Sequence, residues 1–316
     1  MTIKTIVKRM LVLGIAMTSI LTTIQCAAEQ KTPFFKLSLA QWSIHKMVFS
    51  GEASPYDFAR LASEWGFEGL EYVSQMYRDV IDAEDKDAAM ETFVSKSKAA
   101  AEQYGLKNVL IMVDNEGNLS APEEAVREQA VANHMRWVKA AAALGCHAIR
   151  VNLSGSDDPE IWTTASIAGL SALATQAAAY NINVLVENHG GLSSNAALLM
   201  QVINTIDLPN CGTLPDFGNF CLKGHRWARL DPSCEEVYPI YQGVEEMMPR
   251  AFAVSAKSYN FDDQGQETQI DYSKMLEVIK AAGYTGFIGV EYEGENLTEA
   301  EGIKATKNLL LKSGSH

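Results

Sequence analysis

Four stretches of this chain repeat one instruction: an amphipathic helix stops on a glycine, and a short apolar run follows and ends on a polar side chain. They are ASEWGFEGLEYV (62–73), AEQYGLKNVLIMVDNEG (101–117), AAALGCHAIRVN (141–152) and KAAGYTGFIGVEYEG (280–294). Gly66, Gly105, Gly145 and Gly283 stand where a left-handed helix terminator is expected. Helix starts are marked as well. Ser54-Pro55 and Asp158-Pro159 each place a capping side chain before a proline suited to the first helical position, and Ser120 with Glu123 makes a capping box.

Eight apolar segments can be counted, near 35–42, 68–73, 106–113, 146–152, 182–187, 210–216, 251–257 and 284–292. Helices fit between and after them at 54–65, 83–104, 120–144, 158–180, 195–205, 236–248, 271–282 and 298–312. Strict alternation of strand and helix predicts an α/β chain with a parallel sheet and helical crossovers. Eight units in one continuous run predict a single (β/α)8 TIM barrel rather than an open doubly wound sheet. No GxGxxG opens the chain to suggest dinucleotide binding.

Residues 1–28 are set apart as a signal peptide, because Lys4, Lys8 and Arg9 precede an uncharged, mostly apolar run from Met10 to Ile24. That run is shorter than the ~20 residues of a spanning helix, so no membrane span is expected. Cys-Ala-Ala at 26–28 supplies small residues for cleavage after Ala28; acylation of Cys26 is the weaker reading, since bulky Gln25 precedes it. The expectation is an exported protein, periplasmic or extracellular, with residues 29–316 as the barrel. Loss of the leader moves the formal net charge from −13 to −16, because it carries three cations and no acid. Such a surface repels phosphate backbones, and nucleic acid is not expected as a partner. Cys146, Cys211, Cys221 and Cys234 remain; Cys221 with Cys234 is the first pair to test for a disulfide, against the alternative of small buried thiols.

In a barrel of this kind the active site forms at the C-terminal ends of the strands. The residues there are Gln41 and Trp42, Glu71, Asp114, Asn152, Glu187, Asp216, Lys257, and Glu291 with Glu293. Several carboxylates in one low-dielectric mouth require a cation or raised pKa values. Side-chain alternation gives Glu187 and His189 one parity, and likewise Ser255 with Lys257 and Glu291 with Glu293. Glu187, Asp216 and Glu291 have no cheap structural explanation as a group. Oxygen ligands point to Mg²⁺ or Mn²⁺, with Zn²⁺ possible if a histidine joins. Glu71 has a rival reading as a rim ion pair, and Asp114 with Glu116 one as a turn. Trp42 reads as a pocket wall and His45 as a substrate contact or an ordinary loop residue. His225, in the long stretch from Phe217 to Glu235, is a candidate sugar contact in a loop over the mouth, with a plain surface-loop residue as the rival reading.

LSLAQWSIH, VLVENHGG, LPDFGNF, AVSAKSYNFD and GFIGVEYEG together resemble the xylose isomerase-like barrels of the sugar phosphate isomerase/epimerase group, over essentially the whole mature chain. The resemblance implies a divalent ion held by Glu187, Asp216, a histidine on the seventh strand, and Glu291. It also implies that the two glutamates act as acid and base on opposite sides of the substrate. The chain departs from the pattern at Ser255, which stands where the histidine would be; His189 or water is then the candidate replacement. Asn219 stands where epimerases of the group often carry a substrate-binding histidine.

The expected chemistry is proton abstraction next to the carbonyl of an unphosphorylated sugar or keto-sugar, by Glu187 or Glu291, with Lys257 and His189 on the oxygen that becomes negative. Return of the proton gives epimerisation or isomerisation. A lyase that cleaves 3-keto-glycosides by β-elimination shares the first step, and a sugar-binding barrel without catalysis is the rival from another class. Trp42, His45, Glu71, Asn152, His189, Asn219 and His225 are the candidate substrate contacts, and a small sugar or glycoside is the expected partner.

Overall fold

A computed structural model describes residues 32–224, 230 and 233–315. The proposed leader, Cys26 and His225 lie outside the described residues. The eight apolar segments all become parallel strands: β1 (Lys36–Ala40), β2 (Gly69–Val73), β3 (Lys107–Met112), β4 (Ala148–Val151), β5 (Asn183–Glu187), β6 (Cys211–Leu214), and, after a two-stranded insertion, β9 (Val254–Ser258) and β10 (Phe287–Tyr292). They form one sheet in the order β6-β5-β4-β3-β2-β1-β10-β9. Every residue of β2 and β9 is buried, as expected of strands covered on both faces.

The local signals act largely as read. Gly66, Gly105, Gly145 and Gly283 all have positive φ, and Asp158 accepts hydrogen bonds from the N–H groups of Glu160 and Ile161 at the start of helix Pro159–Ala178. Ser54 and Asp57 form the reciprocal capping box. The exception is Ser120 with Glu123. The helix begins only at Glu124, with Glu123 as an N-cap that makes no side-chain bond. Ser120 is instead turned onto Asn118 Oδ1, at 2.9 Å from both its N–H and its hydroxyl. An asparagine two residues upstream competed for the serine and won.

The sheet curls, and its end strands meet without a continuous ladder. Two isolated parallel bridges, Thr213 with Ala251 and Asp216 with Ser255, join the β6 side to the β9 side. The closed barrel expected from eight units is thus a curled sheet with an incompletely laddered seam. The cause is local: β6 ends before Pro215, which has no N–H to give. Its carbonyl still accepts from Ser255 N at 2.9 Å, and Phe217 N donates to Ser255 O at 3.1 Å. Gly212 permits the approach, because a Cβ there would stand 2.4 Å from the Arg250 carbonyl oxygen.

The stretch after β6 is not a plain loop. β7 (Cys221–Gly224) pairs antiparallel with β8 (Cys234–Val237), and a Cys221–Cys234 disulfide ties the two strands. The disulfide expectation holds. The helix expected from 236 starts at Ile240, because β8 takes the residues before it. Cys146 and Cys211 are buried free thiols. Among the described residues no helix is long and apolar enough to cross a membrane.

Candidate metal centre and active site

Strand alternation delivers the polar side chains to one place. On β10, Glu291 follows Gly289 by two residues; on β9, Lys257 follows Ser255 by two; and the register sets Glu291 beside Lys257 and Gly289 beside Ser255. Glu187 closes β5. Asp216 sits just past β6, bridged to Ser255 across the seam. Asn188 fixes that turn: its Oδ1 accepts from Asp216 N at 2.8 Å, and its Nδ2 donates to the carbonyls of Asp216 and Asn219 at 3.0 and 3.1 Å. Asp216 Oδ1 in turn accepts the N–H groups of Gly218 and Asn219, both at 2.8 Å. A side-chain network thereby supplies the order that the short strand cannot.

Glu187, Asp216 and Glu291 converge, and one carboxylate oxygen from each lies within 4.8 Å of the others. Ser255 Oγ stands between two of them, 2.6 Å from Asp216 Oδ2 and 3.0 Å from Glu291 Oε2. Lys257 Nζ lies 2.6 Å from Glu291 Oε1, 2.9 Å from Glu293 Oε1 and 3.9 Å from Asp216 Oδ2. Arg150, from β4, puts Nε 2.9 Å from Glu187 Oε2 and NH1 2.6 Å from Asp114 Oδ1. The Arg150–Glu187 contact is an ion pair without hydrogen-bond alignment, so Glu187 Oε2 is buried with no donor directed at it. Asn219 Nδ2 reaches the other oxygen of Glu187 at 3.1 Å.

Acids outnumber cations in this cluster, and the pKa values follow. Burial raises Glu187; Arg150 opposes the rise and Glu291 adds to it. Burial likewise raises Asp216, against Lys257 and with repulsion from Glu187 and Glu291. Burial would lower Lys257, but Glu291, Glu293 and Asp216 override it and hold the ammonium charged well above its ordinary range. Asp114 stays below its ordinary value, because Arg150 overcomes the effect of burial. His189 is held down by burial and by Arg150, which keeps the ring neutral. Three buried carboxylates in mutual repulsion, one with an oxygen that no donor satisfies, fit a divalent cation by charge and by donor type.

The structure distributes the expected residues unevenly. Glu187, Asp216, Glu291, Lys257, Ser255 and Asn219 are brought into one network. His189, half-buried at the exit of β5, is not a member of the converging group. Asn152 donates to Asp114 Oδ1 at 2.9 Å, so Asp114 is an inward acid paired to Arg150 and not merely a turn residue. Glu116 has a structural tie, to Arg136 at 3.0 Å and the Trp137 indole at 2.7 Å. Glu71 makes no rim ion pair: it is fully buried, with Oε1 accepting from Ser38 Oγ at 2.5 Å and Oε2 without a partner. Trp42 stacks on His45 with centroids 4.5 Å apart, and exposed Phe49 stands edge-on to both. Glu299 holds this turn by accepting the N–H groups of Lys46 and Met47.

Arg150 is the principal residue that reading the sequence overlooked. The signal was available: an arginine inside the apolar strand AIRV, of the same parity as Asn152. Gly289 carried a signal too. A Cβ there would stand 2.4 Å from Glu71 Oε2, so the glycine in FIGVEY marks the space that the buried acid occupies.

A curled parallel sheet with helical crossovers and a cluster of acids at its strand ends defines the class, an α/β barrel-type protein with a candidate metal centre. The model of the xylose isomerase-like TIM barrel family matches residues 59–312, and the chain belongs to that family. Among solved structures, AP endonuclease, family 2 from Brucella melitensis is 19% identical, with 85% of this chain and 97% of that one covered and a TM-score of 0.59. E. coli 3-keto-D-glucoside 4-epimerase is 16% identical, with 81% and 94% covered and a TM-score of 0.61. The IOLI protein with a binding zinc atom is 14% identical, with 89% and 98% covered and a TM-score of 0.61. At these identities the likeness establishes the fold. No curated protein matches the chain.

Proposed function

We propose that this protein is a divalent-metal-dependent enzyme that epimerises or isomerises an unphosphorylated sugar or keto-sugar by abstracting a proton next to its carbonyl. The observation that carries the reading is the convergence of Glu187, Asp216 and Glu291 beside a buried, charged Lys257. Those three acids would hold the cation, which when bound supplies Lewis-acid polarisation of the substrate carbonyl. The residues of the chain do the rest.

Glu187 takes the proton. Asn219 fixes the orientation of its carboxylate, and its other oxygen has no donor directed at it. Glu291 returns a proton from the other side. Lys257 is too firmly protonated to serve as a base; it stabilises the oxygen on which negative charge develops. Neutral His189 hydrogen-bonds the same region of the substrate, and the Trp42–His45 stack offers a flat wall to a sugar's C–H face.

The same reading takes the curled sheet as a single (β/α)8 barrel, residues 29–316, behind a cleaved leader at 1–28. The Cys221–Cys234 disulfide supports an exported, periplasmic or extracellular protein, since such bonds persist in oxidising compartments. A second reading, β-elimination from a 3-keto-glycoside, begins with the same proton abstraction. The likeness to an epimerase of 3-keto-D-glucosides supports the substrate class this reading needs. Incubation of ketoses and of 3-keto-glycosides in heavy water separates the outcomes. We expect deuterium beside the carbonyl, with epimer or isomer formed, or with glycoside cleaved if the second reading holds. Chelator abolishes exchange, and Glu187→Gln lowers it by about 10²-fold or more while the fold is retained. A protein that binds the sugar yet neither exchanges nor cleaves it under any of these conditions is a binding module, and the proposal fails.

A further inference from the structure

We infer that Ser255 makes the carboxylate cluster an all-oxygen centre, tuned to an exchangeable hard cation such as Mg²⁺ or Mn²⁺, and that this residue keeps the affinity for Zn²⁺ from pulling ahead. The inference rests on the metal reading above and adds which ion the site is built for and which residue decides it.

Three observations carry it. The converging donors are carboxylate oxygens from Glu187, Asp216 and Glu291, and among the described residues no histidine or cysteine joins them. The four described cysteines have other fates: Cys221 and Cys234 are bonded to each other, and Cys146 and Cys211 are buried free thiols. The side chain that stands between two of the acids is a fully buried hydroxyl, with Ser255 Oγ 2.6 Å from Asp216 Oδ2 and 3.0 Å from Glu291 Oε2. Carboxylate and hydroxyl oxygens suit Mg²⁺ and Mn²⁺, whereas imidazole and thiolate are the donors that favour Zn²⁺.

The neighbouring ammonium points the same way. Lys257 Nζ is 2.6 Å from Glu291 Oε1 and 3.9 Å from Asp216 Oδ2. A fixed positive charge at that distance competes with any cation for the same carboxylates. The centre is therefore built to hold its ion loosely, unlike a closed structural zinc site. Ser255 also acts as a positioning residue, because its hydroxyl spaces Asp216 from Glu291.

Equilibrium binding tests this without reference to catalysis. Chelator-stripped protein is titrated with Mn²⁺, read by the electron paramagnetic resonance signal of the free ion, and with Mg²⁺ and Zn²⁺ by competition. The quantity compared is the ratio of Zn²⁺ to Mn²⁺ affinity. Ser255→His, which places a nitrogen donor between the acids, is expected to raise that ratio by at least about tenfold. Ser255→Cys, nearly the same size, raises it too through a soft sulfur donor, and it serves if the histidine variant does not fold. Ser255→Ala weakens Mn²⁺ binding without raising the ratio. If the wild type binds one ion per chain and neither the histidine nor the cysteine variant shifts the ratio, the inference is wrong and the metal reading stands. If the wild type binds no divalent ion, both fall.

Discussion

Glu71→Gln should make this protein more stable, and more so as pH rises. In the folded state Glu71 is fully buried, hydrogen-bonded only by Ser38 Oγ, with Oε2 against the space left by Gly289. Burial raises its pKa from an ordinary 4.5 to about 8; Ser38 opposes the rise, and Glu291 and Glu187 add to it. The unfolded chain gives up this proton near pH 4.5, while the folded protein keeps it to about pH 8. Between those values the folded state binds more protons than the unfolded one, so stability falls as pH rises. At about 1.4 kcal/mol per pH unit, the group costs about 3 kcal/mol at pH 7.

A glutamine keeps the shape and accepts from Ser38 but carries no titrating proton. Its buried –NH₂ offsets part of the gain, by about 1–3 kcal/mol if it finds no partner. That offset does not depend on pH. Reversible urea unfolding of wild type and Glu71→Gln, with chelator present throughout, is measured from pH 5 to pH 8.5. The gap in favour of the variant should widen by about 3 kcal/mol between pH 5 and pH 7 and level off above pH 8. Parallel stability curves would refute the reasoning, because they would mean that folding leaves the proton affinity of Glu71 unchanged.

Two further perturbations probe the site's supports. Lys257→Met leaves Glu291, Glu293 and Asp216 without the ammonium between them, and a loss of about 3–5 kcal/mol is expected. The loss should be larger at pH 8 than at pH 5, since lower pH lets the stranded acids protonate; equal losses at both would contradict the charge account. The double variant Cys221→Ser/Cys234→Ser opens a link between residues 13 apart, and chain entropy gives a loss of about 3 kcal/mol. Denaturant midpoints that coincide with wild type would show that the hairpin holds without its bond.

The strands were legible because each is short, apolar and followed by a polar residue, and because glycine terminators and capped starts mark the helices between them. Those are signals within about ten residues of one another. The three converging acids were legible for the same reason, since each lies at or just past the end of its own strand. What sequence could not carry was the partner. Arg150 is visible as a charge inside an apolar strand, but its ion pairs with Asp114 and Glu187 depend on neighbouring strands lying in a particular register. Glu71 shows the same limit: a rim ion pair and a buried acid look alike until Ser38 and Gly289 arrive from β1 and β10. The hairpin was missed because CLKG and CEEV have no apolar alternation; a disulfide ties them.

The seam joins these points. Pro215 stops β6 from laddering onto β9, so the two ends of the sheet meet through the Thr213–Ala251 and Asp216–Ser255 bridges, with Asn188 fixing the turn that carries Asp216. The same two residues, Asp216 and Ser255, belong to the candidate metal centre. Holding the sheet's ends together and spacing the acids are therefore one set of interactions, and the departure at Ser255 acts on both. A hydroxyl there bonds Asp216 and Glu291 directly and ties the seam in the absence of any cation. A bulkier donor in its place would part the two acids that the bridge brings together, so an ion would have to take over that link. It follows that metal removal should destabilise Ser255→His more than wild type, a difference that thermal unfolding with and without chelator would register.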